Sequence, residues 1–112
     1  MLIYKIFRAD EWAALQTAGQ SAGAPVDLAD GFVHFSTADQ AVETAAKWFA
    51  GIEGLVLLAC DTDGMGDALK WEPSRGGALF PHLYRDLHMS DVVWSKPLPI
   101  VDDKHVFPKE MQ

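Results

Sequence analysis

The chain has 112 residues, of which 16 are acidic and 9 are basic, so its formal net charge at neutral pH is −7. Hydrophobic residues make up 49% and charged residues 22%, a composition that is typical of a folded globular domain and excludes a disordered chain. The length predicts a single domain over residues 1–112. The acidic charge argues against nucleic acid as a partner, because its phosphates bind basic surfaces.

The expected location follows from what the sequence lacks. No apolar run approaches the ~20 residues that cross a bilayer, which argues against a membrane partner. The first residues lack the charged lead and apolar stretch of a signal peptide. Cys60 is the only cysteine, which excludes an internal disulfide and a zinc site built from cysteines. We therefore expect a cytoplasmic protein that is a monomer or a weak homodimer.

The first third of the chain predicts a strand, a helix and a second strand. Apolar side chains alternate over residues 2–7, which predicts a strand, and residues 10–18 predict a short helix that Gly19 ends. Residues 21–30 show no period and predict a loop. Residues 31–36 then predict a short strand.

The middle of the chain predicts the clearest helix and the central strand. Thr37 and Gln40 fit a capping box, in which each side chain satisfies a free backbone donor, and apolar residues recur at helical spacing up to Phe49. Residues 55–60 form a continuous apolar run of strand length, which predicts a strand buried on both faces.

The second half of the chain predicts further strands over residues 70–72, 78–84 and 92–95. Pro81 predicts an edge or the start of a strand, since proline cannot donate to a sheet ladder, and the last strand is also predicted at an edge. The polar tail from about residue 102 is predicted to fray. The pattern as a whole predicts an α+β fold with a bent or split sheet and two main helices in the N-terminal half.

His34 and Ser36 form the first candidate binding cluster. They lie two residues apart in a strand, so their side chains share a face. They also directly precede a helix N-terminus, where free amides and the helix dipole favour a phosphate or another anion. The alternative interpretation is structural, with His34 in the core and Ser36 at the start of the helix.

Glu72 and Arg75 form the second cluster. A carboxylate at the end of a strand can stabilise a developing cation, and the following Gly76 and Gly77 would let a loop close over a ligand. The alternative is a surface ion pair between Glu72 and Arg75, followed by an ordinary turn.

Phe80, His82 and Tyr84 form the third cluster. Residues spaced by two in a strand point to the same face, and three ring side chains on one face provide a stacking wall for a planar group. The alternative is a strand that packs these rings into the core.

The sequence gives little support for a metal site. The four histidines lack the spacing of metal ligands. The acidic turn with Asp61, Asp63 and Asp67 resembles part of a calcium loop and has Glu72 at the twelfth position, but Met65 stands where the fifth position needs a ligand. We therefore predict no metal.

The chain resembles the small bacterial family DUF952, a domain of unknown function, over roughly residues 2–100. The resemblance is carried by residues 3–6 (IYKI), Trp12, residues 30–37 (DGFVHFST), residues 71–72 (WE) and residues 80–84 (FPHLY). Arg85 and Asp86 depart from the pattern, since Gly-Pro is expected after Tyr84, and they add charge near the candidate site.

The resemblance implies an ADP-ribosyltransferase-like fold, in which a split β-sheet surrounds a nicotinamide cleft, and NAD as the cofactor. It implies that His34 and Ser36 hold a ribose and that Glu72 stabilises the cationic transition state. It also implies that an aromatic residue, Tyr84 or Phe80, stacks on nicotinamide. In such an enzyme Arg75 would hold a phosphate and His82 would belong to the ring wall, and the candidate catalytic residues are Glu72 and His34.

Three functions stay open at this point. The first is an ADP-ribosyl transferase or glycohydrolase that uses NAD or a related compound. The second is a non-catalytic module that senses a small nucleotide-like ligand or anion. The third is an RNA 2′-phosphotransferase-like enzyme, which the acidic charge disfavours.

Overall fold

The computed structural model describes residues 1–111, apart from the side chain of Arg75. The helices in this range are α1 (Ala9–Ala18), α2 (Pro25–Asp30) and α3 (Ala38–Trp48). The strands are β1 (Leu2–Phe7), β2 (Gln20–Ser21), β3 (Val33–His34), β4 (Val56–Asp61), β5 (Leu69–Pro73), β6 (Leu79–Leu83), β7 (Leu87–His88), β8 (Val92–Pro97), β9 (Ile100–Val101) and β10 (Lys104–His105). None of the helices described is long and apolar enough to cross a membrane.

Two three-stranded sheets form the framework, and every strand pairing in them is antiparallel. The first sheet has the order β1-β4-β8 and the second the order β3-β6-β5. Two further pairs, β2-β7 and β9-β10, are two-stranded. The α+β prediction is confirmed, as are the central position of the strand predicted over residues 55–60 and the edge position of the last long strand.

The first sheet is buried on both of its faces. One face packs with the second sheet in a core that includes Ile3, Phe7, Phe35, Leu58 and Leu83. The other face packs against α3 in a core that includes Tyr4, Ile6, Ala41, Ala45 and Leu57. Successive side chains of a strand point to opposite faces, so a strand between two cores needs apolar residues at almost every position. This explains the unbroken apolar run of β4.

The chain passes from the second sheet to the first directly after β3. The backbone nitrogen of Phe35 donates to the carbonyl of Pro81 in β6 at 3.0 Å. One residue later, Ser36 and Tyr4 of β1 exchange two backbone hydrogen bonds of 2.9 and 2.8 Å. Residues 33–36 therefore join the two sheets along one short seam.

Helix α2 lies where the sequence predicts a loop, and that prediction is wrong. Pro25 occupies the first turn, where its missing N–H would have no partner anyway, and the side chain of Asp27 accepts a hydrogen bond from Ala24 N at 2.7 Å. Gly31 ends the helix in the left-handed region at φ 83°. Six residues are too few to show a helical period, so the sequence pattern missed this third helix.

Pro81 lies in β6, the central strand of the second sheet, so the predicted edge position is wrong. The N–H and C=O of one residue in an antiparallel strand point to the same neighbour. The backbone groups of Pro81 point to the β3 side of β6. There the Pro81 carbonyl accepts from Phe35, which is the last residue that bonds to β6 on that side. The proline nitrogen therefore faces the point where the ladder ends, and its missing donor costs no regular bond.

The tail forms regular structure, in contrast to the predicted fraying. Asp102 and Asp103 have φ of 52° and 65° and connect β9 to β10 in a two-residue hairpin. Met111 is buried in the second core, and Lys96 pairs with Glu110 at 2.6 Å. A few apolar side chains are thus enough to fix this polar segment against the core, and they show no sequence period that would have predicted it.

Candidate functional site

The candidate residues meet on the outer face of the second sheet. The register places His34 of β3 opposite His82 of β6, and Phe80 of β6 opposite Glu72 of β5. Side chains at alternate positions share a face, so these four lie on one face together with Tyr84. Val33 and Leu83 point the other way into the core. The alternation of the sequence therefore brings three separated clusters together.

A cleft of about 760 Å³ opens beside this face, and residues of both three-stranded sheets line it. Four of the predicted site residues contribute to its wall: His34, Ser36, Phe80 and His82. The facing wall comes from β1 and from the second half of α3, including Thr44 and Trp48. Glu72 and Tyr84 are not among the residues that line the cleft, but Glu72 contacts His82 of its wall.

Asp27 of α2 is a buried carboxylate that organises one side of the cleft. Its Oδ1 accepts a hydrogen bond from His34 N at 2.9 Å and lies 2.6 Å from Nδ1 of the same histidine. Its Oδ2 accepts from Ala24 N at 2.7 Å and from Lys5 Nζ at 2.7 Å. The Asp27 side chain has no solvent exposure, so these four donors replace its water.

The opposite charges of Asp27 and Lys5 each favour the ionised form of the other group. Burial alone would raise the pKa of Asp27, but the bond from His34 and the charge of Lys5 outweigh burial and lower that pKa. Burial is the largest influence on Lys5 and lowers the pKa of its ammonium in spite of Asp27. Removing either partner would leave the other charge buried and unpaired, which is strongly unfavourable.

His34 is held at both ring nitrogens. Its Nδ1 faces Asp27, and its Nε2 lies 2.9 Å from Oδ2 of Asp30, one turn further along α2. Both ring nitrogens are therefore within hydrogen-bond distance of a carboxylate oxygen. The Asp30 side chain is 48% exposed, so a ligand hydroxyl can take its place at Nε2 without opening the core.

Glu72, His82 and Tyr84 form a second hydrogen-bonded group. Glu72 Oε1 lies 2.9 Å from His82 Nδ1 and accepts a bond of 2.6 Å from the Tyr84 hydroxyl. The hydrogen bond from Tyr84 is the largest influence that lowers the pKa of Glu72, and the bond from His82 is the next, so the carboxylate stays ionised. The hydrogen bond between Tyr84 and Glu72 also raises the pKa of Tyr84. The predicted surface ion pair between Glu72 and Arg75 involves a side chain outside the described residues.

Phe32 binds this group into one aromatic cluster, and the sequence analysis missed it. Its ring stacks on His82 with centroids 4.2 Å apart, and it contacts the rings of His34 at 4.5 Å and Tyr84 at 5.0 Å. Phe32 stands two residues before His34, so the alternation rule would have placed it on the same face. Asp27 and Lys5 were also missed, because nothing in the local sequence marks a contact between α2 and β1.

The predicted anion site at the N-terminus of α3 does not form part of the cleft. Thr37 and Gln40 make the predicted capping box, with bonds of 3.3 and 3.0 Å, and thereby occupy two of the free backbone amides. Ser36 instead lies 3.4 Å from the Thr44 hydroxyl, two turns into the helix. The cleft therefore runs along the body of α3.

Arg75 belongs to the second candidate cluster and Arg85 follows the third in the sequence, and neither is shown to point into the cleft. The side chain of Arg75, predicted to bind a phosphate, lies outside the described residues. Arg85 pairs with both oxygens of Asp91 at 2.9 and 3.0 Å, so its charge is held away from the cleft. Arg85 and Asp86 line a separate cavity of about 200 Å³, which Phe32 and Tyr84 also border.

Two other chemistries find little support. Among the described residues, no group of three or more His, Cys, Asp or Glu side chains converges as metal ligands would. Burial raises the pKa of the Cys60 thiol to about 12, so this side chain is not a nucleophile at neutral pH.

Comparison with known proteins identifies a matching family and solved structures of a similar protein. The family model described as a protein of unknown function, DUF952, matches residues 6–95. The crystal structure of protein CC0527 from Caulobacter crescentus is 52% identical, with a TM-score of 0.89 over 94% of this chain and 92% of that chain.

The solution NMR structure of CC0527 gives 53% identity and a TM-score of 0.83 over 93% of this chain and 90% of that one. Among curated proteins, no sequence matches. The resemblance found in the sequence motifs is thus confirmed at the level of the family: the chain belongs to DUF952.

Proposed function

We propose that the protein binds a nucleotide of the NAD or ADP-ribose class in the cleft and cleaves the bond between nicotinamide and ribose, by ADP-ribosyl transfer or by hydrolysis. One observation carries the proposal: His34, Ser36, Phe80 and His82, which come from separate parts of the sequence, line a single cleft of about 760 Å³. This volume is within the range of about 300–1,000 Å³ that is usual for small-molecule sites.

The arrangement of the sheets supports an ADP-ribosyltransferase-like fold. Domains of that type hold NAD where a β-sheet splits, and here residues 33–36 pass from one three-stranded sheet to the other. His34 and Ser36, the residues that resemble the ribose-binding element, lie on this seam. The split and the motif therefore coincide at one wall of the cleft.

The walls offer suitable partners for each part of such a ligand. Trp48 is 63% exposed at the cleft and provides a surface for stacking a base. The Arg8 guanidinium lies 5.3 Å above the ring of Phe49, also at the cleft, and can reach a phosphate. The His34 Nε2 can exchange Asp30 for a ribose hydroxyl.

The charge behind the aromatic cluster fits the proposed reaction. When the bond to nicotinamide breaks, positive charge develops on the ribose, and a fixed negative charge nearby lowers the energy of that state. The ionised carboxylate of Glu72 lies one hydrogen bond behind His82 in the cleft wall. Its effect on a bound ribose passes through the His82 ring.

A non-catalytic binding module is the second candidate function. The observation in its favour is that Glu72, the carboxylate predicted to stabilise the cationic transition state, is not among the residues that line the cleft. Such a module would bind the same nucleotide without releasing nicotinamide.

Calorimetric titration with NAD, ADP-ribose and nicotinamide tests the proposal. We expect NAD to bind and Trp48→Ala to weaken binding about tenfold, because stacking on one base is worth about 1–3 kcal/mol. Trp71→Ala is the matched control, since Trp71 is also exposed but lines neither cavity. Absence of binding by all three compounds would overturn the proposal. Chromatography of released nicotinamide distinguishes the enzyme from the binding module.

A further inference from the structure

His82 differs from the other histidine of the cleft in what its ring nitrogens contact. The residue is only 4% exposed, yet it contributes to the cleft wall. Its Nδ1 lies 2.9 Å from Oε1 of Glu72. Within residues 1–111, leaving aside the side chain of Arg75, this is the one hydrogen bond of the His82 ring. The ring of His34, by contrast, contacts carboxylates at both nitrogens.

The hydrogen-bond pattern fixes which nitrogen of His82 carries the proton. An ionised carboxylate can only accept, so Nδ1 must donate to Glu72, and the neutral ring then has its lone pair on Nε2. The Tyr84 hydroxyl donates to the same carboxylate oxygen, and Phe32 stacks on the ring. Both contacts restrain the pair in one orientation.

We propose that His82 is the general base of this site and that the acceptor is water, so that the protein is a glycohydrolase. This inference rests on the proposed function and deepens it. Glu72 and Tyr84 act as positioning residues, because they hold the ring in the tautomer that presents Nε2. Both nitrogens of His34 face carboxylates, so we assign this residue to ligand binding and not to proton transfer.

The reaction balances without any further reagent. The bond between the nicotinamide nitrogen and the ribose carbon breaks, and its electron pair leaves with nicotinamide, whose positive ring becomes neutral. The water oxygen forms a new bond to the ribose carbon, and one water proton goes to Nε2 of His82. The products are nicotinamide, ADP-ribose and a proton that His82 later returns to solvent.

Burial of His82 explains why water is the acceptor. Its side chain is 6% exposed and is covered by the Phe32 ring, so Nε2 admits a small molecule far more readily than the side chain of another protein. Glu72, by comparison, is 36% exposed. The more reactive nitrogen thus lies on the more enclosed side of the pair.

The variant His82→Asn tests the assignment. An asparagine amide can keep the donor to Glu72 in place of Nδ1 while Nε2 is removed. We expect nicotinamide release from NAD to fall by about 100-fold to 10,000-fold in kcat, the usual contribution of a general base, with the Kd for NAD unchanged. His88→Ala is the matched control, since His88 lines neither cavity, and its rate should equal that of the unaltered protein.

Chemical rescue separates catalysis from structure. Added imidazole should restore nicotinamide release in His82→Gly, which a purely structural histidine would not allow. Glu72→Gln should lower kcat and leave the Kd for NAD unchanged. The product should be free ADP-ribose in an amount equal to nicotinamide.

The outcomes distinguish this inference from the function on which it rests. Failure of the unaltered protein to bind NAD overturns both. Binding and cleavage with an unchanged rate in His82→Asn overturns the role of His82 alone. ADP-ribose found attached to a protein overturns water as the acceptor, and binding with no cleavage overturns the catalytic assignment while leaving a binding module.

Discussion

Two histidine–carboxylate pairs lie side by side in this protein. They join the same two chemical groups, an imidazole and a carboxylate, but they differ in burial and in hydrogen bonding. The rings of His34 and His82 are 5.3 Å apart, with their planes at 67°. Asp27, the partner of His34, is fully buried and holds four donors. Glu72, the partner of His82, has a side chain that is 36% exposed, and the two described donors share one of its oxygens.

The two pairs differ in the burial of the carboxylate, and we assign a structural role to the pair whose carboxylate is buried. Around Asp27 every contact is needed to compensate for lost water, so the ring of His34 is fixed at both nitrogens. Around Glu72 solvent shares this task, and the hydrogen bond that His82 makes with the described residues is at Nδ1. Chemical type alone does not distinguish the two pairs.

The largest expected effect is on stability, and it differs strongly between the two pairs. Asp27→Asn removes the partner of the buried Lys5 ammonium, and we expect a loss of about 3–5 kcal/mol in the free energy of unfolding. Glu72→Gln alters a solvent-exposed group and should leave the urea midpoint close to that of the unaltered protein. Equal losses in the two variants would contradict the assignment of Asp27 as structural.

Acid sensitivity sharpens the same contrast. The pKa of Asp27 lies below its ordinary value of 3.8, so its stabilising effect is complete above that value and is lost as the pH falls through the folded-state pKa. We expect the free energy of unfolding to fall below about pH 4, with a contribution from Asp27 of at most about 1.4 kcal/mol per pH unit.

Urea unfolding between pH 2 and pH 7, roughly the span over which carboxylates titrate, measures this slope. Asp27→Asn should be less stable at neutral pH and should show a shallower acid dependence. Glu72→Gln should retain the Asp27 contribution to the slope. An Asp27→Asn protein with the same acid dependence as the unaltered chain would show that Asp27 does not titrate as inferred.

The smallest expected effect concerns the position of one pKa. The hydrogen bond from Tyr84 is the largest influence that lowers the pKa of Glu72, so Tyr84→Phe should move that pKa upward toward its ordinary value of 4.5. The carbon-13 NMR shift of the Glu72 carboxyl group, followed during an acid titration, measures it. Tyr4→Phe is the control, because Tyr4 packs against Trp94 and α3, whereas the described hydrogen bonds to the Glu72 side chain come from His82 and Tyr84. An unchanged pKa in Tyr84→Phe would remove Tyr84 from the group.

The parts of the fold that were predictable depend on short-range patterns. The capping box of Thr37 and Gln40 and the apolar run of β4 need only neighbouring residues to be recognised, and the structure contains both. Helix α2 was missed because it has only six residues and its stability depends on Asp27. Two partners of Asp27, Lys5 and His34, lie on other elements. The Lys5–Asp27 pair joins residues 22 positions apart, and one sequence carries no sign of that distance.

The candidate site shows the same division. Alternation along two strands was enough to place His34 with Ser36 and His82 with Tyr84, while the motifs linked them to one family. Among the described residues, the difference in hydrogen bonding between the two histidine rings depends on the positions of Asp30 and Glu72 around them. That property belongs to the packed sheet and to no local segment.

Pro81 fixes where along the strand the cleft begins. Phe35 donates to the Pro81 carbonyl, but the reciprocal bond is impossible because proline has no N–H, so the ladder stops and Ser36 turns to Tyr4. Successive residues of a strand direct their backbone groups to opposite neighbours. A proline moved by one position would therefore remove a donor on the β5 side instead. The pairing of β3 with β6 thus ends beside a nitrogen that lacks a hydrogen, next to the residues that line the cleft.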